Sequence, residues 1–140
     1  MAILEPRNLT PLELILRVRK TIPAYQRDFV WEPSLITTFL ENIWDACDTG
    51  MEKYFCGSMV VFENHFKQYE IVDGQQRTTV LYILISYLIE RIGTIKDDPE
   101  WISGERRSYI YKKNRQKDNE FYFSHQNHKL ANFLEIVGLN

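Results

Sequence analysis

The chain has 140 residues, 44% hydrophobic and 26% charged, with a formal net charge of −2. That length suits one domain, 1–140, able to bury about two-thirds of its unfolded surface, and the apolar fraction excludes disorder, collagen-like repeats or coiled coil as a description of the whole. The mild charge excludes a histone-like protein held by bulk electrostatics, yet it leaves room for a local basic patch.

Leu9-Thr10-Pro11-Leu12-Glu13-Leu14 predicts a helix start. Thr10 is the N-cap, Pro11 takes the first position, where its missing N–H costs nothing, and Glu13 completes a capping box, with Leu9 and Leu14 as a hydrophobic staple. Thr21 to Pro23 is extended, because the residue before a proline is pushed out of the α region. Trp31-Glu32-Pro33-Ser34 opens a second helix, in which Leu35, Ile36, Phe39, Leu40, Ile43, Trp44 and Cys47 form an apolar face and Gly50 ends the element.

Phe55 to Phe62 and Gln68 to Val72, joined through Glu63-Asn64-His65, predict a β-hairpin. From Gln75 the period changes to helix, with Leu81, Leu84, Ile85, Leu88 and Ile92 on one face and Gly93 as the stop. Thr94 to Gly104 reads as loop around Asp97-Asp98-Pro99. A basic hairpin follows over 105–124, and a final helix over 125–137 buries Leu130, Phe133, Leu134 and Val137. The alternation of helices and strands predicts an α+β, mixed α/β domain: a small mixed sheet covered by helices.

The longest apolar stretch, Thr79 to Ile89, is too short to cross a bilayer, and the first residues lack the apolar core of a signal peptide. Cys47 and Cys56 have no framework spacing and read as reduced, buried small hydrophobes. A cytoplasmic protein with no membrane partner is expected. Aromatics reach 14%, with eight Tyr, eight Phe and three Trp; so many rings build either a core or an apolar surface that a partner covers.

The chemistry concentrates in Tyr69-Glu70-Ile71-Val72-Asp73-Gly74-Gln75-Gln76-Arg77-Thr78-Thr79. A strand runs into a turn and a long helix begins at once. The first N–H groups of that helix lack internal partners and sit at a dipole end worth about half an elementary charge. Gly74 lets a ligand approach the backbone, and Arg77 can reach back over the same spot, so the group makes a phosphate-type anion site. The plainer reading makes Asp73 an N-cap, Gly74 a turn residue and Arg77 a surface charge.

Ile22-Pro23-Ala24-Tyr25-Gln26-Arg27-Asp28-Phe29-Val30-Trp31, then Phe55-Cys56-Gly57-Ser58-Met59-Val60-Val61, then Ile71-Val72-Asp73-Gly74-Gln75-Gln76-Arg77-Thr78-Thr79 and Phe121-Tyr122-Phe123-Ser124 resemble the N-terminal domain of GmrSD-type restriction endonucleases. The resemblance implies a ParB/sulfiredoxin-like fold, in which a Gly-x-x-Arg box at a helix N-terminus holds nucleotide phosphates. Carried over, Gly74, Gln75, Gln76 and Arg77 form the box, Thr78 stands beside it, and Gln26 and Arg27 are further polar contributors. Arg27 read structurally is an ion-pair partner for Asp73, and Tyr25 and Trp31 are core or rim aromatics.

The resemblance further implies an NTP-dependent, modification-sensing anti-phage enzyme. Asp73, Gln76 and Arg77 would then serve nucleotide hydrolysis, with Asp73 coordinating Mg²⁺ or positioning water. The partners implied are a nucleoside triphosphate, DNA with or without modifications, and a C-terminal nuclease domain or subunit. No nuclease motif lies within these residues, so the chain is expected to be the first module of a longer protein.

Gly104-Glu105-Arg106-Arg107 spells the ParB phosphate box, but it does not follow an apolar strand and is assigned to a loop. From Glu105 to Lys117 six positive charges oppose one negative. Arg106, Arg107, Lys112, Lys113 and Arg115, interleaved with Tyr109 and Tyr111, are the candidate nucleic-acid surface; the alternative is a solvated hairpin. That surface supports a second reading, a non-catalytic ParB-like DNA-binding module with a nucleotide switch. His65, His125 and His128 offer no zinc spacing.

Overall fold

The computed structural model describes residues 6–15, 20–23 and 30–125. Tyr25, Gln26, Arg27 and residues 126–137 lie outside that set, and His125, expected to open a helix over 125–137, instead ends a strand. Among the described residues the elements follow in the order α1 Pro11–Ile15, β1 Lys20–Ile22, α2 Pro33–Asp48, β2 Val60–Glu63, β3 Tyr69–Asp73, α3 Gln75–Lys96, α4 Pro99–Tyr109, β4 Tyr111–Lys113, β5 Asn119–Phe121 and β6 Phe123–His125. This is the expected α+β arrangement.

Local chemistry sets several boundaries. The capping box forms as read: Thr10 N–H donates to Glu13 Oε2 at 2.7 Å, and Glu13 N–H donates to Thr10 Oγ1 at 3.2 Å. Pro33 opens α2, and Gly50, at φ 71°, follows its end. The central sheet has the order β2-β3-β1-β6, with β1 parallel to both β3 and β6 and β2 antiparallel to β3. Lys20 stands level with Tyr69 on one side and Phe123 on the other. By alternation, Lys20, Ile22, Tyr69, Ile71 and Phe123 share one face. That face and α3 build the core, in which Ile22, Ile71, Tyr82, Ile89, Ile110 and Phe123 are buried and the Tyr82 and Phe123 rings lie 4.7 Å apart.

Several expectations are corrected. Gly93 does not stop α3, which runs on to Lys96 and ends at Asp97 in the left-handed region. Gly93 is instead where α4 crosses: a Cβ there would lie 2.0 Å from Ile102 Cγ1. The buried ridge is accordingly Tyr82, Ser86, Ile89 and Gly93, whereas Leu88 and Ile92 stay 41% and 40% exposed. Extended to 22 residues, α3 is long and apolar enough to span a bilayer, but half of that stretch is buried inside the fold, which makes it a core helix here.

The loop expected over Thr94 to Gly104 is mostly helix. Asp98 caps α4 by accepting the Trp101 N–H at 2.9 Å, and Pro99 takes the first turn. Asp-Pro, read as a turn, is an N-cap followed by N1. Gly104 lies inside α4, so the Gly104–Arg107 box has its N–H groups within a helix and not at its start.

The basic hairpin is shorter than 105–124. It comprises β4 and β5, and the return strand breaks at Tyr122, so that Phe123 crosses into the central sheet. The apolar face of α2 is mostly not buried: Ala46 alone is, while Leu35 and Trp44 are 54% and 71% exposed. Cys47 and Cys56 are free as expected, but Cys47 is exposed and Cys56 half-buried. The aromatic surplus divides between core, in Tyr82 and Phe123, and surface, in Trp44, Phe55, Phe62, Phe66 and Tyr87.

Candidate functional site

The parallel strands β1, β3 and β6 point their carboxyl ends to one edge of the sheet. In open α/β sheets that edge is where ligands bind, because helix N-termini and loops converge there. Here β3 ends at Asp73 and α3 starts at Gln75, with only Gly74 between them. Gly74 adopts φ 86°, a left-handed conformation that glycine alone takes without strain, and contributes no side chain to the cap. A Cβ at Gly74 would come within 3.0 Å of the Ser58 carbonyl oxygen and 3.3 Å of Met59 Cα. The Gly57-Ser58-Met59 segment therefore lies directly against the helix start.

The four residues after Gly74 do different things. Gln75 is 7% exposed, and its amide has no hydrogen-bond partner among the described residues. The buried Gln76 turns inward, its Oε1 accepting the Val30 N–H at 3.0 Å and the Trp31 N–H at 3.2 Å. Arg77 donates from Nη2 to the Ser58 carbonyl oxygen at 2.7 Å. Thr78 is buried, its hydroxyl donating back to the Gly74 carbonyl oxygen at 2.9 Å and lying 3.3 Å from Met59 Sδ.

Asp73 is exposed at the end of β3, level with Val60, and does not cap α3. Among the described residues no three His, Cys, Asp or Glu side chains gather as a metal site. A single carboxylate fits Mg²⁺ only in the manner of nucleotide enzymes, where phosphate oxygens and water complete the shell.

Gln26 and Arg27 lie outside the described residues, but both flanks of their segment meet at this edge. β1 enters beside β3, and Val30 and Trp31 are tied to Gln76. Trp31 also packs edge-on to Phe39, centroids 5.4 Å apart, as a half-buried rim aromatic.

Sequence reasoning assigned no role to Gly57 or Ser58. A cue was available: a glycine inside the β-rich run Phe55 to Val61 often marks close approach of another group. Arg77 is that group, since a Cβ at Gly57, whose φ is 120°, would lie 2.0 Å from Arg77 Nη1.

The basic residues form a second region. Arg106 pairs with Glu90 at 2.9 Å, and its guanidinium carbon lies 6.0 Å from the Tyr111 ring centre. Lys112 faces Glu120 at 3.6 Å, and Lys113 donates to Asn119 Oδ1 at 2.6 Å. Arg107 and Arg115 are exposed and have no side-chain partner among the described residues.

Comparison with curated protein sequences returns no match. The family comparison matches residues 12–137 to the GmrSD restriction endonuclease, N-terminal domain. The matched range takes in the strand–turn–helix at Asp73 to Thr79, the Gly57-Ser58 segment packed on it and the whole central sheet. The chain therefore belongs to the GmrSD restriction endonuclease N-terminal domain family.

Proposed function

We propose that this domain binds a nucleoside triphosphate at the start of α3 and hydrolyses it with Mg²⁺, as the cytoplasmic regulatory part of a modification-dependent restriction enzyme. One observation carries the reading: a helix N-terminus at the carboxyl edge of a parallel sheet, entered through the bare Gly74 and flanked by the Arg77 guanidinium and by the Gln75 amide, which has no partner among the described residues.

Phosphate oxygens would meet N–H groups of the first turn, where backbone dipoles and a guanidinium both favour negative charge. Arg77 and the helix start supply fixed donors for charge that grows on the phosphates during transfer. Asp73 would hold Mg²⁺, whose positive charge would offset part of the charge on the phosphates. Gln76 holds the Val30–Trp31 segment of the site in place, and Gln75, without a side-chain partner among the described residues, would donate to ligand. Calorimetry with MgATP, MgGTP and the other triphosphates tests the reading. Binding that Arg77→Ala abolishes is expected, and no binding of any triphosphate by the wild type refutes it.

A second reading, a DNA-binding module switched by nucleotide, is favoured by Arg107 and Arg115, exposed cations that no described residue neutralises. Gel shifts with modified and unmodified duplexes separate the two. Binding that needs Arg107 and Arg115 but is indifferent to Arg77 favours the DNA module; a nuclease domain or subunit would then act on what it holds.

A further inference from the structure

Arg77 sits in a mould made by two residues far from it in sequence. Its guanidinium lies against Gly57, where any Cβ would fall 2.0 Å from Nη1, 2.5 Å from Cζ and 3.0 Å from Nε. Its Nη2 is bonded at 2.7 Å to the carbonyl oxygen of Ser58, a short charge-assisted contact. That same oxygen abuts Gly74, where a Cβ would approach to 3.0 Å. One carbonyl thus touches both the guanidinium and the entrance of α3. The thiol of Cys56, next in chain to Gly57, feels the Arg77 charge, in keeping with this packing.

An arginine side chain is long and flexible, and ordering it costs rotamer freedom. A guanidinium already fixed in the free protein does not meet that cost again when ligand arrives. The contact uses one N–H of Nη2 and leaves the other guanidinium donors uncommitted among the described residues. We infer that Gly57 and Ser58 are positioning residues for Arg77: the bare Cα of Gly57 and the carbonyl of Ser58 hold the guanidinium beside the α3 N-terminus, ready for a phosphate group. This rests on the triphosphate reading above.

The test uses the full chain, with MgATP, MgGTP and inorganic tripolyphosphate as probes in calorimetry, comparing wild type, Gly57→Ala, Arg77→Ala and the double variant. Gly57→Ala should weaken triphosphate binding about tenfold or more, the scale of a lost charged hydrogen bond, at unchanged stoichiometry. The double variant should bind no more weakly than Arg77→Ala alone, because both changes remove the same guanidinium from the same place. Wild-type binding by Gly57→Ala, or two losses that multiply, overturns the inference. A wild type that binds none of the probes refutes the triphosphate reading instead.

Alanine at φ 120° is strained whatever its neighbours, so the wild type provides a second arm. In arginine-labelled protein studied by NMR, rotation of the Arg77 Nη groups should be slow in the free state and stay slow with tripolyphosphate. Free rotation before ligand is added overturns the inference, as does release of Arg77 from Ser58 when ligand binds.

Discussion

The side-chain oxygen of Gln76 accepts the backbone N–H of Trp31 at 3.2 Å, and that of Val30 beside it at 3.0 Å, which fastens the entry to α2 onto the first turn of α3. Gln76 is buried, and truncation would leave two backbone donors without this acceptor. Gln76→Ala should therefore cost about 1–3 kcal/mol of stability in urea unfolding. It should also weaken nucleotide binding, because the Val30–Trp31 flank of the site is released. Unchanged stability would mean that Gln76 does not anchor this segment.

Gly93 offers a case in which two effects oppose. Alanine in a helix interior gains about 1 kcal/mol over glycine from propensity. Packing acts the other way, since a Cβ at Gly93 would lie 2.0 Å from Ile102 Cγ1 and 2.6 Å from Cδ1. Overpacking of this kind costs about 1–3 kcal/mol, so Gly93→Ala should destabilise overall. Adding Ile102→Ala should recover part of the loss caused by Gly93→Ala. Stabilisation by Gly93→Ala alone would refute the close crossing of α3 and α4.

Lys20 is buried in β1 between Tyr69 and Phe123, and burial lowers its ammonium from the usual 10.5 to about 8. Between those two values the unfolded chain holds a proton that the folded chain has released. Stability should therefore rise with pH from about 8 to 10.5 through this group, and below 8 the cost of burying the charged form stays constant. Thermal unfolding of wild type and Lys20→Met across this range reads the difference. Parallel pH profiles would show that Lys20 contributes none of it.

The basic region contains two kinds of cation. Lys112 and Lys113 already have partners in Glu120 and Asn119, whereas Arg107 and Arg115 have none among the described residues. If duplex DNA binds here, neutralising Arg107 or Arg115 should flatten the slope of log affinity against log salt by about 0.9 each. Neutralising Lys112 or Lys113 should change it less, because those charges must first leave their neighbours. Equal effects at all four positions would refute the distinction.

Burial raises the Cys56 thiol above its ordinary range, and the Arg77 guanidinium partly opposes that rise. Exposed Cys47 should accordingly alkylate first at neutral pH. Cys56 should react more slowly still in Arg77→Ala, where the opposing charge is gone. Mass spectrometry after timed iodoacetamide treatment reads both rates.

Local rules carried far along this chain. The capping box at Thr10, the proline start of α2 and the abrupt strand-to-helix change at Asp73-Gly74 depend on neighbouring residues alone, and each forms where the sequence puts it. The motif at Gly74 to Arg77 was equally legible as a helix start, since an unsatisfied first turn follows from any helix. Gly93 and Asp97-Asp98-Pro99 misled because each has two local meanings. A glycine can end a helix or admit a neighbour, and an aspartate before proline can make a turn or cap a helix.

What the sequence by itself determined is the order of elements from α1 to the start of α3, the α+β class and the polar helix start that resembles a phosphate box. Only the tertiary structure decided which face of α3 is buried, that Gln76 ties down Trp31 and that Gly57 and Ser58 hold Arg77. The physical reason is range. Backbone propensity and capping act over a turn or a hairpin, whereas the Arg77–Ser58 and Gln76–Trp31 contacts span 19 and 45 residues. Such contacts exist only once the sheet has brought β1, β2 and β3 to one edge.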